Sequence, residues 1–154
     1  MNFNAAHWHL LLNHIPILGV MFGAALLLYA VARRSDEVAR VSLGVFILCA
    51  LVVVPTYFTG EPAQASLQDA TGASLPFIDR HERAAKIGTL LTLALGLTSL
   101  ALLIVARRQA ELPRVGSRGL LAISFCVAAW LGYVGTLGGQ IRHEEIRPAR
   151  QLEK

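Results

Sequence analysis

Residues 10–32 read LLLNHIPILGVMFGAALLLYAVA, and this stretch contains no Asp, Glu, Lys or Arg. A helix needs about 20 apolar residues to cross the ~30 Å hydrocarbon core of a bilayer. The stretch is therefore predicted to be a transmembrane helix. Three more stretches of comparable length and hydrophobicity follow it, at residues 41–59, 84–106 and 119–137.

The composition fits one small integral membrane domain. The chain has 154 residues, of which 55% are hydrophobic, and its formal net charge is +4. Four spans predict an all-α fold, a four-transmembrane-helix bundle with up-down-up-down topology. The positive charge does not indicate a nucleic-acid partner, because many of the arginines flank the apolar runs, as they do in membrane proteins. The lipid bilayer is the expected partner.

The connections between the spans are polar. Residues 33–40 and 107–118 form two short connections, whereas residues 60–83 are predicted to be a longer extracytoplasmic loop. Within this loop, Pro62 is expected to open a short helix, which Gly72 and Pro76 then break.

The basic residues around the first span predict the orientation. No Lys or Arg precedes this span, whereas Arg33, Arg34 and Arg40 follow it closely. Cytoplasmic loops carry an excess of such residues. We therefore expect a multi-pass membrane protein with both termini outside the cytoplasm.

A short repeat indicates that two helical hairpins are related. Val-Ala-Arg-Arg at residues 31–34 recurs at residues 105–108, and the same offset carries His7 onto His81. If the repeat reflects the fold, the first and third helices are equivalent elements.

Histidines and glutamates gather at one end of the predicted bundle. The histidines are His7, His9, His14, His81 and His143, and the neighbouring glutamates are Glu61, Glu82, Glu144 and Glu145. Counting 1.5 Å per residue from the arginine that ends each span places His14 and Glu61 at the hydrocarbon edge. Any one of these histidines would be ordinary at a membrane interface, but polar groups at that depth are costly without partners. We therefore predict a polar site built from His14, Glu61, His81, Glu82 and His143.

Two kinds of bound species suit this layer. Heme b needs two facing imidazoles, and the candidates are His81 together with His7 or His14, with His143 as a further candidate and the choice between His7 and His9 left open. A non-heme ion such as iron, copper or zinc would instead use both imidazoles and carboxylates. The candidate metal ligands are Glu61, His81, Glu82, His143 and Glu144.

The sequence favours a binding role over catalysis. It contains no Ser or Cys nucleophile arrangement and no phosphate-binding loop, so no catalytic residue is predicted. Hydrolysis remains possible only if zinc is bound with an open position and Glu82 acts as a general base. With no second histidine pair at the opposite end, any heme is expected to be single.

Four short motifs carry a resemblance to a known family. They are NHIP at residues 13–16, TGE at 59–61, HE at 81–82 and GGQIRHEEIR at 138–147. With these motifs the chain resembles a family of small four-helix bacterial inner-membrane proteins of unassigned activity, and the resemblance covers nearly the whole chain. In helix number and interfacial histidines it is also loosely similar to b-type membrane cytochromes.

These patterns lead to three expectations of function. The first is a heme b or other redox-cofactor protein that serves a respiratory or related electron-transfer complex as an accessory component. The second is a non-heme metal-binding membrane protein. The third is a structural subunit whose polar layer docks a periplasmic partner.

Overall fold

The computed structural model describes residues 4–71, 75–109 and 111–147. These residues form four long α-helices and one short 3₁₀ turn, Glu144–Ile146. The α-helices are α1 (Ala5–Arg33), α2 (Asp36–Thr71), α3 (Leu75–Gln109) and α4 (Arg114–Arg142). All four are long and apolar enough to cross a membrane. The predicted all-α four-helix bundle is confirmed, and its architecture is that of a multi-pass membrane protein.

The helices pack in a ring. α1 and α3 each pack against both α2 and α4, so that α1 lies diagonally across the bundle from α3. We call α1 with α2 the first hairpin and α3 with α4 the second hairpin. The arginine end of the bundle contains the α1–α2 connection, and the histidine end is the opposite one, where α1 and α3 begin.

Local signals explain the bounds of α1. The Asn4 side chain caps the helix by accepting a hydrogen bond from the His7 backbone N–H at 3.0 Å. At the other end Arg34 adopts a left-handed conformation with φ of 54°, and the Ser35 N–H bonds the Ala30 carbonyl. The chain then enters α2 at Asp36, which makes the first hairpin tight.

Each helix turns a narrow stripe of small and apolar side chains inward. Buried positions recur at alternating spacings of four and three residues, which keeps them on one side of a helix. On α1 the stripe is Pro16, Val20, Gly23, Leu27 and Ala30. On α3 it is Gly88, Thr92, Leu95 and Ser99, and on α4 it is Leu120, Ser124, Val127, Leu131 and Val134. Many large apolar side chains outside these stripes are exposed, among them Leu18 on α1, Leu51 on α2 and Leu97 on α3.

Close contacts between helices occur in the middle of the bundle and at its arginine end. The Ser42 hydroxyl on α2 donates a 2.7 Å hydrogen bond to the Gly23 carbonyl on α1. Any side chain at Gly96 on α3 would collide with Ala50 on α2. The Asp36 carboxylate also accepts a 3.1 Å hydrogen bond from the Leu112 N–H, which joins the two hairpins at this end.

The segment expected to be a loop at residues 60–83 is largely helical. α2 continues through Gly60 and Pro62 to Thr71, so Pro62 does not open a separate helix. A proline inside a helix leaves the carbonyl four residues earlier without its donor, and here that carbonyl belongs to the exposed Phe58. Pro76 is the second residue of α3, where a missing N–H costs nothing. The break expected at Gly72 lies outside the described residues.

α4 passes through Gly138 and Gly139 and ends at Arg142. The chain then folds back, and the Arg147 Nε donates a 2.8 Å hydrogen bond to the Gln140 carbonyl. The guanidinium of Arg147 also lies 4.6 Å from the centroid of the Phe77 ring at the start of α3. The segment after α4 is thereby fixed to the histidine end of the second hairpin.

Candidate functional site

His9 extends from α1 toward α2 and is half-buried. Its Nδ1 lies 3.1 Å from the Thr56 carbonyl oxygen and 3.2 Å from the Thr59 hydroxyl. The ring edge rests against Gly60, where an added Cβ would lie 3.6 Å from the His9 Cε1. The imidazole is therefore held in a fixed orientation within the first hairpin.

His81 is held in the same manner within the second hairpin. It is half-buried on α3, and its Nδ1 lies 3.2 Å from the Val134 carbonyl oxygen on α4. A Cβ added to Gly138 would come within 3.2 Å of the His81 Cε1, which is closer than ordinary packing allows. Glycine at position 138 is thus what lets the ring lie against α4.

The hydrogen bonds define the tautomer of both rings. A carbonyl oxygen only accepts, so each Nδ1 carries the proton and donates it. In the neutral imidazole the lone pair then resides on Nε2. His9 and His81 come from diagonal helices and lie near each other at the histidine end. Metal-ligating histidines are held in this way, with one ring nitrogen bonded to the protein and the other available as a ligand.

Asn13 adds a polar group one helical turn from His9 on the same face of α1. Its Oδ1 is buried and has no hydrogen-bond partner among the described residues. Such an orphaned acceptor costs about 1–3 kcal/mol and calls for an explanation. A ligand bound between the helices would provide one.

The other two histidines of α1, His7 and His14, do not face the interior of the bundle. His14 is exposed, and its Nδ1 bonds the Leu10 carbonyl of its own helix at 2.6 Å. His7 is also exposed, and its Nδ1 lies 2.6 Å from the Asn4 side chain. The two share a face of α1, as their spacing predicts, but that face points out of the bundle.

His143 follows the last residue of α4 and remains outside the bundle. Its side chain is 61% exposed, and its Nδ1 lies 2.9 Å from a Glu145 carboxylate oxygen. The pKa of Glu145 is lowered, first by a hydrogen bond to its own backbone N–H and then by the His143 side chain. The side chain of Glu144 lies outside the described part of the structure.

Glu61 and Glu82 also face outward. Glu61 is exposed on α2, and Glu82 forms an ion pair with Lys86, whose Nζ lies 2.7 Å away. An exposed pair at this spacing contributes little to stability. The structure therefore does not bring either carboxylate to His81.

Of the residues predicted for the site, His81 lies in the interior, whereas His7, His14, His143, Glu61 and Glu82 are exposed. The described residues contain no group of three or more His, Cys, Asp or Glu side chains placed to hold a metal ion. The interior set is instead His9, His81 and Asn13. The signal for His9 and Asn13 is the buried stripe of α1, because continuing its spacing outward from Pro16 reaches both residues.

Comparison of the chain with protein-family models, with curated proteins and with solved structures found no match.

Proposed function

We propose that this chain binds a single heme b at the histidine end of the bundle, with His9 and His81 as its two axial ligands. The observation that carries the proposal is the matched pair of imidazoles. Each Nδ1 donates to a backbone carbonyl of the adjacent helix, so each Nε2 keeps its lone pair. Neutral imidazoles held in this orientation are the axial ligands that a low-spin heme requires.

The number of donors favours heme over a bare metal ion. A porphyrin supplies four nitrogen ligands itself, so the protein must add only two. Zinc usually takes three or four protein ligands, and the described residues offer no group of three from His, Cys, Asp and Glu. Two imidazoles on diagonal helices match the two protein ligands that a heme needs.

Small residues beside the rings favour the same group. Gly60 and Gly138 leave the edges of the two imidazoles free of side-chain bulk on α2 and α4. Each glycine lets its imidazole lie against the helix backbone, which fixes the ring in one orientation, as ligating histidines require.

The ligation suggests electron transfer rather than catalysis. A heme iron held by both His9 and His81 would have no open position for a substrate, so it would supply the gain and loss of one electron. All five histidines of the chain lie toward one end, which suits electron exchange at one membrane face. We infer an accessory component of a respiratory or related complex in the bacterial inner membrane. The arginines after α1 support a periplasmic position for both termini.

A second candidate is the binding of a non-heme transition metal, and Asn13 favours it. The buried Oδ1 of Asn13 has no partner among the described residues and lies on the same face of α1 as His9. It would add an oxygen donor to two imidazole nitrogens, a set that suits iron, copper or zinc with water completing the coordination.

The deciding experiment is an absorption spectrum with metal analysis on the purified protein, before and after titration with hemin. Heme ligation predicts a sharp Soret band with separate α and β bands on reduction. His9→Ala and His81→Ala should each abolish this spectrum. The matched controls His14→Ala and His143→Ala remove exposed imidazoles and should leave the spectrum unchanged.

The other outcomes are equally informative. Full heme binding by His9→Ala, with an unaltered spectrum, would remove His9 from the site. A colourless protein that holds one metal ion and loses it in Asn13→Leu would favour the second candidate. A colourless, metal-free and well-folded protein that takes up no hemin would exclude both.

A further inference from the structure

The Thr59 hydroxyl on α2 lies beside the imidazole of His9 and beside the backbone of its own helix. Its Oγ1 is 3.2 Å from the His9 Nδ1 and donates a 2.9 Å hydrogen bond to the Thr56 carbonyl oxygen. The His9 Nδ1 lies 3.1 Å from the same carbonyl oxygen. The three polar atoms form a closed triangle, so the ring nitrogen has two oxygens beside it.

The direction of each hydrogen bond in this triangle follows from the chemistry of its members. The Thr56 carbonyl can only accept, so the Thr59 hydroxyl and the His9 Nδ1 both donate to it. A hydroxyl that has donated its one proton still has two lone pairs, and donation makes its oxygen a better acceptor. At 3.2 Å the Thr59 oxygen therefore accepts from the His9 Nδ1–H as well.

The imidazole of His81 has a simpler environment. Its Nδ1 donates to the Val134 carbonyl at 3.2 Å, and no side-chain hydroxyl from the described part of the chain joins this hydrogen bond. The two imidazoles of the proposed site are therefore not equivalent. The Nδ1 proton of His9 is shared between two oxygens, whereas that of His81 is held by one.

We propose that Thr59 is a positioning residue that makes His9 the more electron-rich of the two imidazoles and thereby lowers the reduction potential of the bound heme. This inference rests on the proposed function. A hydrogen bond donated by one ring nitrogen strengthens the other nitrogen as a metal ligand. A stronger ligand stabilises ferric iron more than ferrous iron, because the ferric ion carries the greater charge. Hydrogen bonds to the axial ligands are one means by which a protein sets the potential.

The test compares three variants of the whole chain in detergent micelles. Thr59→Val keeps the shape of the side chain and removes the hydroxyl. Thr59→Ser keeps the hydroxyl and should behave as the wild type does. The matched control is Thr136→Val on α4. The Thr136 hydroxyl also donates to the carbonyl three residues earlier, that of Tyr133 at 2.7 Å, but it lies on an exposed face.

The first measurement needs no heme. NMR of protein labelled with ¹⁵N at histidine measures how fast each Nδ1–H exchanges with solvent. In Thr59→Val the His9 Nδ1–H should exchange about fivefold faster, which is the usual effect of losing one hydrogen bond. The exchange of the His81 Nδ1–H should not change, because its acceptor is on another helix.

The second measurement is a redox titration of the protein loaded with hemin. Loss of a hydrogen bond that supports a metal ligand weakens binding by about 10- to 100-fold. A tenfold loss confined to the ferric state raises the potential of a one-electron couple by about 59 mV. Thr59→Val should therefore have a potential higher by at least about this amount. Thr59→Ser and Thr136→Val should keep the wild-type potential.

The outcomes separate this proposal from the proposed function. A wild-type potential in Thr59→Val would overturn the role of Thr59, even if the His9 Nδ1–H exchanged faster, and heme ligation by His9 and His81 would stand. An equal rise in Thr136→Val would also overturn it. If the wild-type protein took up no hemin, the proposed function would fail and this inference would fail with it.

Discussion

The indole Nε1 of Trp130 donates a 3.0 Å hydrogen bond to the backbone carbonyl of Ala84, and this bond ties α4 to α3. Trp130→Phe keeps an aromatic ring but removes the donor. We expect it to lower the free energy of unfolding by about 1 kcal/mol, the usual effect of losing one such bond in a protein or a membrane bundle. The measurement is denaturation in mixed detergent micelles. Tyr133→Phe is the control, since it removes one hydroxyl from a half-exposed ring, and an equal loss there would assign the effect to general repacking.

Asn13→Leu should stabilise the cofactor-free protein. Leucine has nearly the same shape as asparagine and has no polar atom to satisfy, so the cost of the orphaned Oδ1 disappears. The expected gain is about 1 kcal/mol in the free energy of unfolding, measured in the same micelles. A loss of stability would show instead that Oδ1 has a partner, such as a bound water.

Gly138→Leu should displace the His81 ring. The new side chain would occupy the space of the imidazole and break its hydrogen bond to the Val134 carbonyl. Loss of such a supporting bond typically weakens metal binding by about 10- to 100-fold, so hemin affinity should fall by that factor. Imidazole ¹⁵N chemical shifts of His81 report the displacement without heme.

Gly132→Leu is the matched control for this prediction. It lies on the same helix, and a Cβ added there meets nothing within 4 Å. Its hemin affinity and imidazole shifts should equal those of the wild type. Identical behaviour of the two variants would contradict the assigned role of Gly138.

The pKa of Glu145 provides a prediction about pH. Its lowered pKa means that the carboxylate favours the folded state above the ordinary glutamate value of about 4.5, and that this contribution is lost as the pH falls through the lowered pKa. His143→Ala should raise the pKa of Glu145 only part of the way, because the backbone hydrogen bond, the larger cause, remains. A ¹³C NMR titration of the Glu145 carboxyl measures it. An unchanged pKa in the variant would show that His143 has no part in the shift.

The sequence sufficed to predict the four spans and the end of the bundle that carries the histidines. Length and the absence of charge determine whether a helix can cross a bilayer, and both can be counted directly. The parts of the helices that extend beyond the apolar spans cannot be predicted from length and absence of charge. Proline usually disrupts a helix interior, so the sequence predicts a helix start at Pro62, yet α2 accommodates this exposed proline in its interior.

The inward face of α1 was the main feature that sequence reasoning missed. In a soluble helix, hydrophobic periodicity marks the buried side, but α1 is apolar all round because its outer face meets lipid. The sizes of the side chains hold the weaker signal. Pro16, Val20 and Gly23 are smaller than leucine and lie in the register of Asn13 and His9. His7 and His14 instead fall on the side with the exposed Leu18 and Met21.

The hydrogen bonds of His9, His81 and Trp130 each connect helices of one hairpin, whereas Asp36 joins the hairpins at the opposite end. A flat ligand that entered between the hairpins from the histidine end would therefore break none of the three hydrogen bonds made by His9, His81 and Trp130. Each imidazole of the proposed site is therefore held in place by its own hairpin. If the proposed heme binds there, the two hairpins would have to separate at the histidine end while the Asp36 hydrogen bond holds them together at the arginine end.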